Sequence, residues 1–198
     1  MNADGLEEEG APSPEYEIEI GTEPLDRPTR NPAGGWPCFD DGQEWPRCFR
    51  GERTALSFPL DLPDDIEFFG GEHLSVFQCA HHNGRSNPEA EPEPAVRALP
   101  LTLRPFVDAH GPFTMFLKTG GTAAWALYPE SYRCACGAAL AFVCQVPESL
   151  EFGVRPGAPV QSHGIRNDAY ALFLGSEVHL PACPLRCDPA AVLPVNQG

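Results

Sequence analysis

Leu56-Ser57-Phe58-Pro59-Leu60-Asp61-Leu62-Pro63 is answered 84 residues further on by Leu140-Ala141-Phe142-Val143-Cys144-Gln145-Val146-Pro147, with Phe58 and Pro63 falling on Phe142 and Pro147. Both stretches are short apolar runs bounded by proline, which is the pattern of a buried strand that ends in a turn. Upstream of the first run stand Gly34-Gly35-Trp36, Arg47-Cys48 and Gly51; upstream of the second stand Gly120-Gly121 with Trp125, Arg133-Cys134 and Gly137. Downstream, His73-Leu74-Ser75-Val76-Phe77 leads to Cys79, and Tyr170-Ala171-Leu172-Phe173-Leu174 leads to Cys183. Order and spacing together predict two copies of one β-rich unit.

The expected strands are Leu56 to Leu62 and Leu74 to Cys79 in the first copy, and Ala139 to Val146 and Ala169 to Leu174 in the second. Further strands are expected at Tyr16 to Ile20, as an added edge strand with one wet face, at Leu99 to Phe106, and from the apolar run Phe113 to Leu117. Helix is restricted to a turn or two at Pro147 to Phe152 and Asp188 to Leu193. The glycine pairs Gly34-Gly35 and Gly120-Gly121 are expected to need positive φ or close backbone approach. The fold class is thus mainly β (α+β), two tandem copies forming one compact domain. Its divisions are an acidic, partly mobile segment at 1–28, a first repeat at 29–80, a Pro/Glu-rich loop or linker at 81–98, and a second repeat with a cysteine knuckle at 99–198.

Twenty-three prolines and nineteen glycines in 198 residues interrupt any long helix and exclude a helical bundle or coiled coil. The formal charge of −15 repels a polyphosphate and argues against nucleic-acid binding by the surface as a whole. Residues 1–26 hold nine acids and no Lys or Arg, with no apolar run of the kind a secretion signal carries, so a cytoplasmic protein without membrane association is expected.

Eight cysteines in a reducing compartment call for a thiol or metal explanation. Cys134-Ala135-Cys136-Gly137 forms a tight knuckle, and Cys183 and Cys187 make a second local pair; together they offer four soft thiolates to a structural zinc. Cys144, inside the second strand run, reads as a buried core thiol. Cys79 with His81 or His82, and Cys38 and Cys48 upstream, offer weaker alternatives, another metal site or a thiol–imidazole pair for nucleophilic catalysis. Lys118-Thr119-Gly120-Gly121-Thr122 has the residues of a phosphate loop in the wrong order and reads as a turn. No nucleophile elbow, zinc-protease helix or dinucleotide fingerprint occurs.

The series Gly34-Gly35-Trp36-Pro37, Glu44-Trp45-Pro46-Arg47-Cys48, His73-Leu74 through Val76-Phe77-Gln78-Cys79, and Cys136-Gly137 through Gln145-Val146-Pro147 resembles the YwqG-like family of uncharacterised bacterial proteins, from about Gly34 to Gln197. The resemblance implies a duplicated β-rich domain and no known activity. Phe49-Arg50-Gly51 stands where the second copy has Ala135-Cys136-Gly137, so two equivalent four-cysteine sites are not expected. Proteins of this kind look like neighbours of bacterial toxin and immunity loci. The leading expectation is therefore an immunity protein that neutralises a toxin with a basic surface, by direct contact through Trp36, Asp40, Asp41, Glu44, Trp45, Asp64, Asp65 and Glu67. The alternatives are a zinc-stabilised module with a housekeeping or stress role and, third, a Cys/His enzyme.

Overall fold

The computed structural model describes residues 13–27, 29–35, 39, 41–44, 54–79, 97–106, 116–158, 161, 164, 166–188 and 192–197, with backbone alone at 54–57 and 79. It is mainly β. The strands are β1 (Glu15–Ile20), β2 (Pro32–Ala33), β3 (Thr54–Asp61), β4 (His73–Cys79), β5 (Leu99–Pro105), β6 (Lys118–Gly120), β7 (Ala141–Val146), β8 (Glu151–Gly153), β9 (Ala169–Ala171), β10 (Val178–Ala182) and β11 (Val195–Asn196). Seven of them form one antiparallel sheet in the order β11-β10-β7-β6-β1-β5-β2, while β3–β4 and β8–β9 are separate hairpin-like pairs.

One core joins the three sheets. Phe58, Leu60 and Leu74 from β3–β4 meet Ile18 of β1, Val143 and Val146 of β7, Phe152 and Tyr170 of β8–β9, and Val178 and Leu180 of β10. β9 and β10 are buried along their whole length and β7 over its last four residues, so these strands are enclosed on both faces. Pro59 is buried in β3 and Pro181 in β10, and both positions tolerate a missing N–H. Among the described residues β3 pairs on one side only, and the β10–β7 register shifts between Leu180 and Pro181.

The strand at the acidic N-terminal segment is not an edge. β1 lies between β5 and β6, pairing Ile18 with Leu103 and Tyr16 with Thr119, and Ile18 is buried. Two of its acids pair across the sheet: Glu19 with Arg104 at 2.9 Å and Glu15 with the buried Lys118 at 3.2 Å. The apolar run Ala169 to Leu174 is a strand only as far as Ala171. Phe173 and Leu174 have φ of 52° and 61°, so the chain leaves the ladder in a 3-10 turn, and the strand that pairs with β7 is Val178–Ala182. The expected helix at Pro147 to Phe152 is instead a turn running into β8; of the other, Asp188 to Leu193, residues 189–191 lie outside the described residues, and Val192 bridges to Ala182. Lys118-Thr119-Gly120, expected in a turn, is β6, and the turn begins at Gly121. The apolar run before it reaches the described residues only at Phe116 and Leu117, and Leu117 is buried. Gly34, Gly35, Gly120 and Gly121 all have positive φ, between 60° and 75°.

After Gly121 the chain folds back over one face of the sheet as a strap. Lys118, Gln145 and His179 lie side by side across β6, β7 and β10, all buried, and they hold it. Lys118 Nζ donates to the Thr122 carbonyl at 2.6 Å, Gln145 Oε1 accepts from Ala124 N–H at 2.9 Å, and Gln197 Oε1 accepts from Leu127 N–H at 3.2 Å. Trp125 stacks on the His179 ring with centroids 4.3 Å apart. The three hydrogen bonds satisfy polar atoms of the buried side chains of Lys118, Gln145 and Gln197. The strap ends at Tyr132, where the cysteine knuckle begins.

Candidate metal centre

The site is assembled by the register of two neighbouring strands. Ala141, the first residue of β7, pairs with Ala182, the last residue of β10. The residues just before β7 and just after β10 are therefore at the same end of the sheet, and these carry the cysteines. Residues 132–140 form a narrow ribbon: Arg133 bridges Ala139, and Leu140 N–H donates to the Tyr132 carbonyl at 2.9 Å. At its tip Gly137 N–H donates to the Cys134 carbonyl at 2.8 Å, a tight turn that Gly137 completes with a φ of 92°. On the other side Arg186 N–H donates to the Cys183 carbonyl at 2.9 Å, with φ at 50°.

The ligand atoms of Cys134, Cys136, Cys183 and Cys187 all lie within 4.8 Å of one another. Cys134 Sγ is 3.0 Å from Cys187 Sγ, and Cys183 Sγ is 3.6 Å from both Cys136 Sγ and Cys187 Sγ. A tetrahedron with metal–sulfur bonds of about 2.3 Å has edges of about 3.8 Å, close to the two 3.6 Å separations, and the 3.0 Å pair has to open by about 0.8 Å to surround one ion. Four cysteines placed this way can hold a metal ion.

Electrostatics supports the same arrangement. The N–H groups of Cys187 and Leu185 are directed at Cys183, the most enclosed of the four, and bring its thiol down to about 6. The N–H of Ala138 acts on Cys136 in the same sense, but the sulfurs of Cys134 and Cys183 outweigh it and leave that thiol raised. Cys187 is pushed up to about 12 because the sulfurs of Cys134, Cys183 and Cys136 crowd it. A cluster that cannot ionise fully by itself is one that a cation would complete. Cys144 is different: buried in β7 and outside this cluster, its thiol is raised by burial to about 12.

Of the other sequence candidates, Asp41, Glu44, Asp64, Asp65 and Glu67 are exposed. Asp65 accepts a hydrogen bond from Tyr16 at 2.8 Å. Trp36, Asp40, Trp45, Cys38, Cys48, His81, His82 and the Cys79 side chain lie outside the described residues.

Two histidine pairs carry no mark in the sequence motifs. His179 is fully buried, with Nε2 2.7 Å from Glu177 and no hydrogen-bond partner at Nδ1. His73 faces Asp61 across the β3–β4 ladder, with Nδ1 2.7 Å from Oδ1. Register alone would have found the second pair, because facing positions on an antiparallel ladder are neighbours. Among the described residues no helix is long and apolar enough to cross a membrane. No family model, no curated protein and no solved structure matches this chain.

Proposed function

We propose that the four cysteines bind one structural zinc ion and that the protein is a zinc-fastened β-sheet binding module. The convergence of four thiol sulfurs from two turns within 4.8 Å carries this reading. Four thiolates fill a tetrahedral shell, leaving no position for water or substrate, so the ion ties structure together and performs no chemistry. It ties the strap and the start of β7 to the end of β10, a region with many prolines and glycines and short strands. Metal analysis of protein purified under reducing conditions tests it: about one zinc per chain is expected. Iron in its place, or failure to take up zinc after reduction, overturns the assignment.

A second reading concerns what the module binds. Phe68 is 50% exposed on a turn with φ at 67°, and Asp64, Asp65 and Glu67 beside it are exposed as well. A protruding aromatic ring within a cluster of carboxylates suits a partner with a basic, partly apolar surface, in line with an immunity protein that occupies a toxin in the cytoplasm. The test is co-expression with the product of the neighbouring gene. Protection lost in the Asp64→Asn, Asp65→Asn, Glu67→Gln variant supports this reading, and a neighbour harmless on its own removes it.

A further inference from the structure

The four sulfurs of the metal centre differ in how an oxidant can reach them. Cys136 and Cys187, one in each turn, are exposed, while Cys134 is half-buried and Cys183 is buried. Each exposed sulfur has a more enclosed one from the other turn beside it: Cys134 Sγ lies 3.0 Å from Cys187 Sγ, and Cys183 Sγ lies 3.6 Å from Cys136 Sγ. An accessible thiolate is the one an oxidant meets first, and a second thiol in contact with it resolves the product to a disulfide.

The distances choose the pairing. Cys183 Sγ is also 3.6 Å from Cys187 Sγ, so a bond within the second turn competes. Cys187 has Cys134 closer, and once these two are joined Cys183 is left with Cys136. A disulfide needs its sulfurs at about 2.05 Å, so the 3.0 Å pair has to close by about 1 Å, nearly the same movement as the opening that an ion requires. Both bonds run from one turn to the other and span 53 and 47 residues of chain, whereas a Cys183–Cys187 bond spans only 4. Cross-links of long span restrict the unfolded chain most, so the ribbon before β7 stays tied to the end of β10 when the metal is gone.

We propose that the centre is a thiol switch, which exchanges its zinc ion for Cys134–Cys187 and Cys136–Cys183 disulfides when it meets hydrogen peroxide. This rests on the zinc reading above. In each half of the exchange the exposed thiolate attacks a peroxide oxygen, breaking the O–O bond to give a sulfenic acid and hydroxide. The enclosed thiolate then attacks that sulfur, forming the S–S bond and expelling a second hydroxide. Four thiolates lose four electrons in all, two peroxide molecules take them up as four hydroxide ions, and the zinc ion departs with no sulfur ligand left. Cys144, sealed in β7, takes no part.

The test treats the full, zinc-loaded chain with an excess of hydrogen peroxide of about tenfold and measures bound zinc before and after. Remaining thiols are then alkylated and the chain is cut with trypsin. Cleavage after Arg133, Arg166 and Arg186 puts Cys134, Cys136 and Cys144 on 134–166, Cys183 on 167–186 and Cys187 on 187–198. Loss of the bound zinc, one cross-linked species containing all three peptides, and alkylated Cys144 are expected. Cys136→Ser is expected to join 134–166 to 187–198 through Cys134–Cys187 and to leave Cys183 outside any disulfide. Zinc kept through the excess, a bond within either turn, sulfinic acids in place of disulfides, or a link from 134–166 to 167–186 in Cys136→Ser overturns the proposal and leaves the zinc assignment standing. A reduced chain that holds no zinc before peroxide is added removes the zinc assignment, and the exchange with it. The map of the unmodified chain separates bonds between the turns from bonds within them even if the variant does not fold.

Discussion

Gly137 and Arg186 hold the same position in the two cysteine turns: each donates its N–H to the carbonyl of the cysteine three residues earlier, and each has a positive φ. The conformation is easy for glycine and costly for arginine. Arg186 is kept there by its ion pair to Glu72 and its hydrogen bond to the Phe68 carbonyl. Gly137 has no such contacts, and a Cβ built on it would meet nothing within 4 Å. Its requirement is conformational, not steric. Gly137→Ala is therefore expected to cost about 1–2 kcal/mol, a loss of about tenfold in zinc affinity by competition with a chromogenic chelator, with little change in core packing. Unchanged affinity would show that the turn does not shape the site.

Replacing a ligand has a different signature from replacing a core thiol. Cys134→Ser, Cys136→Ser, Cys183→Ser and Cys187→Ser are each expected to lower zinc affinity on the order of 100-fold or more, since a lost ligand does more harm than a lost supporting contact. Cys144→Ala, in the sealed interior of β7, is expected to lower thermal stability by about 1–2 kcal/mol and leave one zinc per chain in place. Full zinc content in all four serine variants would remove the metal centre.

Zinc binding is also expected to release protons. At pH 7.5 the metal-free protein holds Cys183 as thiolate, because its value is about 6, while Cys136 and Cys187 keep their protons, the latter with a value of about 12. The bound ion needs every sulfur ionised, so two or more protons leave per zinc, and affinity falls as pH falls. Below pH 6 Cys183 is protonated too, and the release rises by one. Calorimetry in buffers of different ionisation enthalpy measures this directly; no release at pH 7.5 would contradict the ligand set.

What the sequence discloses here is what local chemistry dictates. The four glycines of the two Gly-Gly pairs have positive φ because no other residue adopts it so cheaply, and that preference is written in the residue type. Cysteine spacing likewise exposes the two turns. The pairing of Ala141 with Ala182 is not local: it follows from sheet register, which the hydrophobic pattern alone does not assign between distant strands. Tyr170 to Leu174 has the composition of a strand, and only the left-handed backbone at Phe173 and Leu174 ends it, at positions where no glycine gives warning. The acids of β1 suggested an edge because their partners, Lys118 and Arg104, lie 103 and 85 residues away in the chain.

Lys118 gives the sharpest test of that last point. It is buried, donates to the Thr122 carbonyl, pairs with Glu15, and has its ammonium 5.2 Å from the Phe106 ring centre and 5.9 Å from that of Phe142. Glu15 also accepts the Thr122 N–H at 3.1 Å, so one lysine and one glutamate fasten β1, β6 and the start of the strap together. Lys118→Ala leaves the Thr122 carbonyl without its donor and Glu15 Oε2 without its ammonium partner, and opens a cavity, at an expected cost of about 3 kcal/mol in urea unfolding. Lys118→Met keeps the hydrocarbon stem and packing against the rings, and Glu15, which is partly exposed, can turn to water, so the expected cost falls to about 1–2 kcal/mol. The two values separate packing from charge. If both variants unfold as easily as one another, the ion pair accounts for the stability; if neither differs from the parent, β1 is not held in the sheet by this lysine.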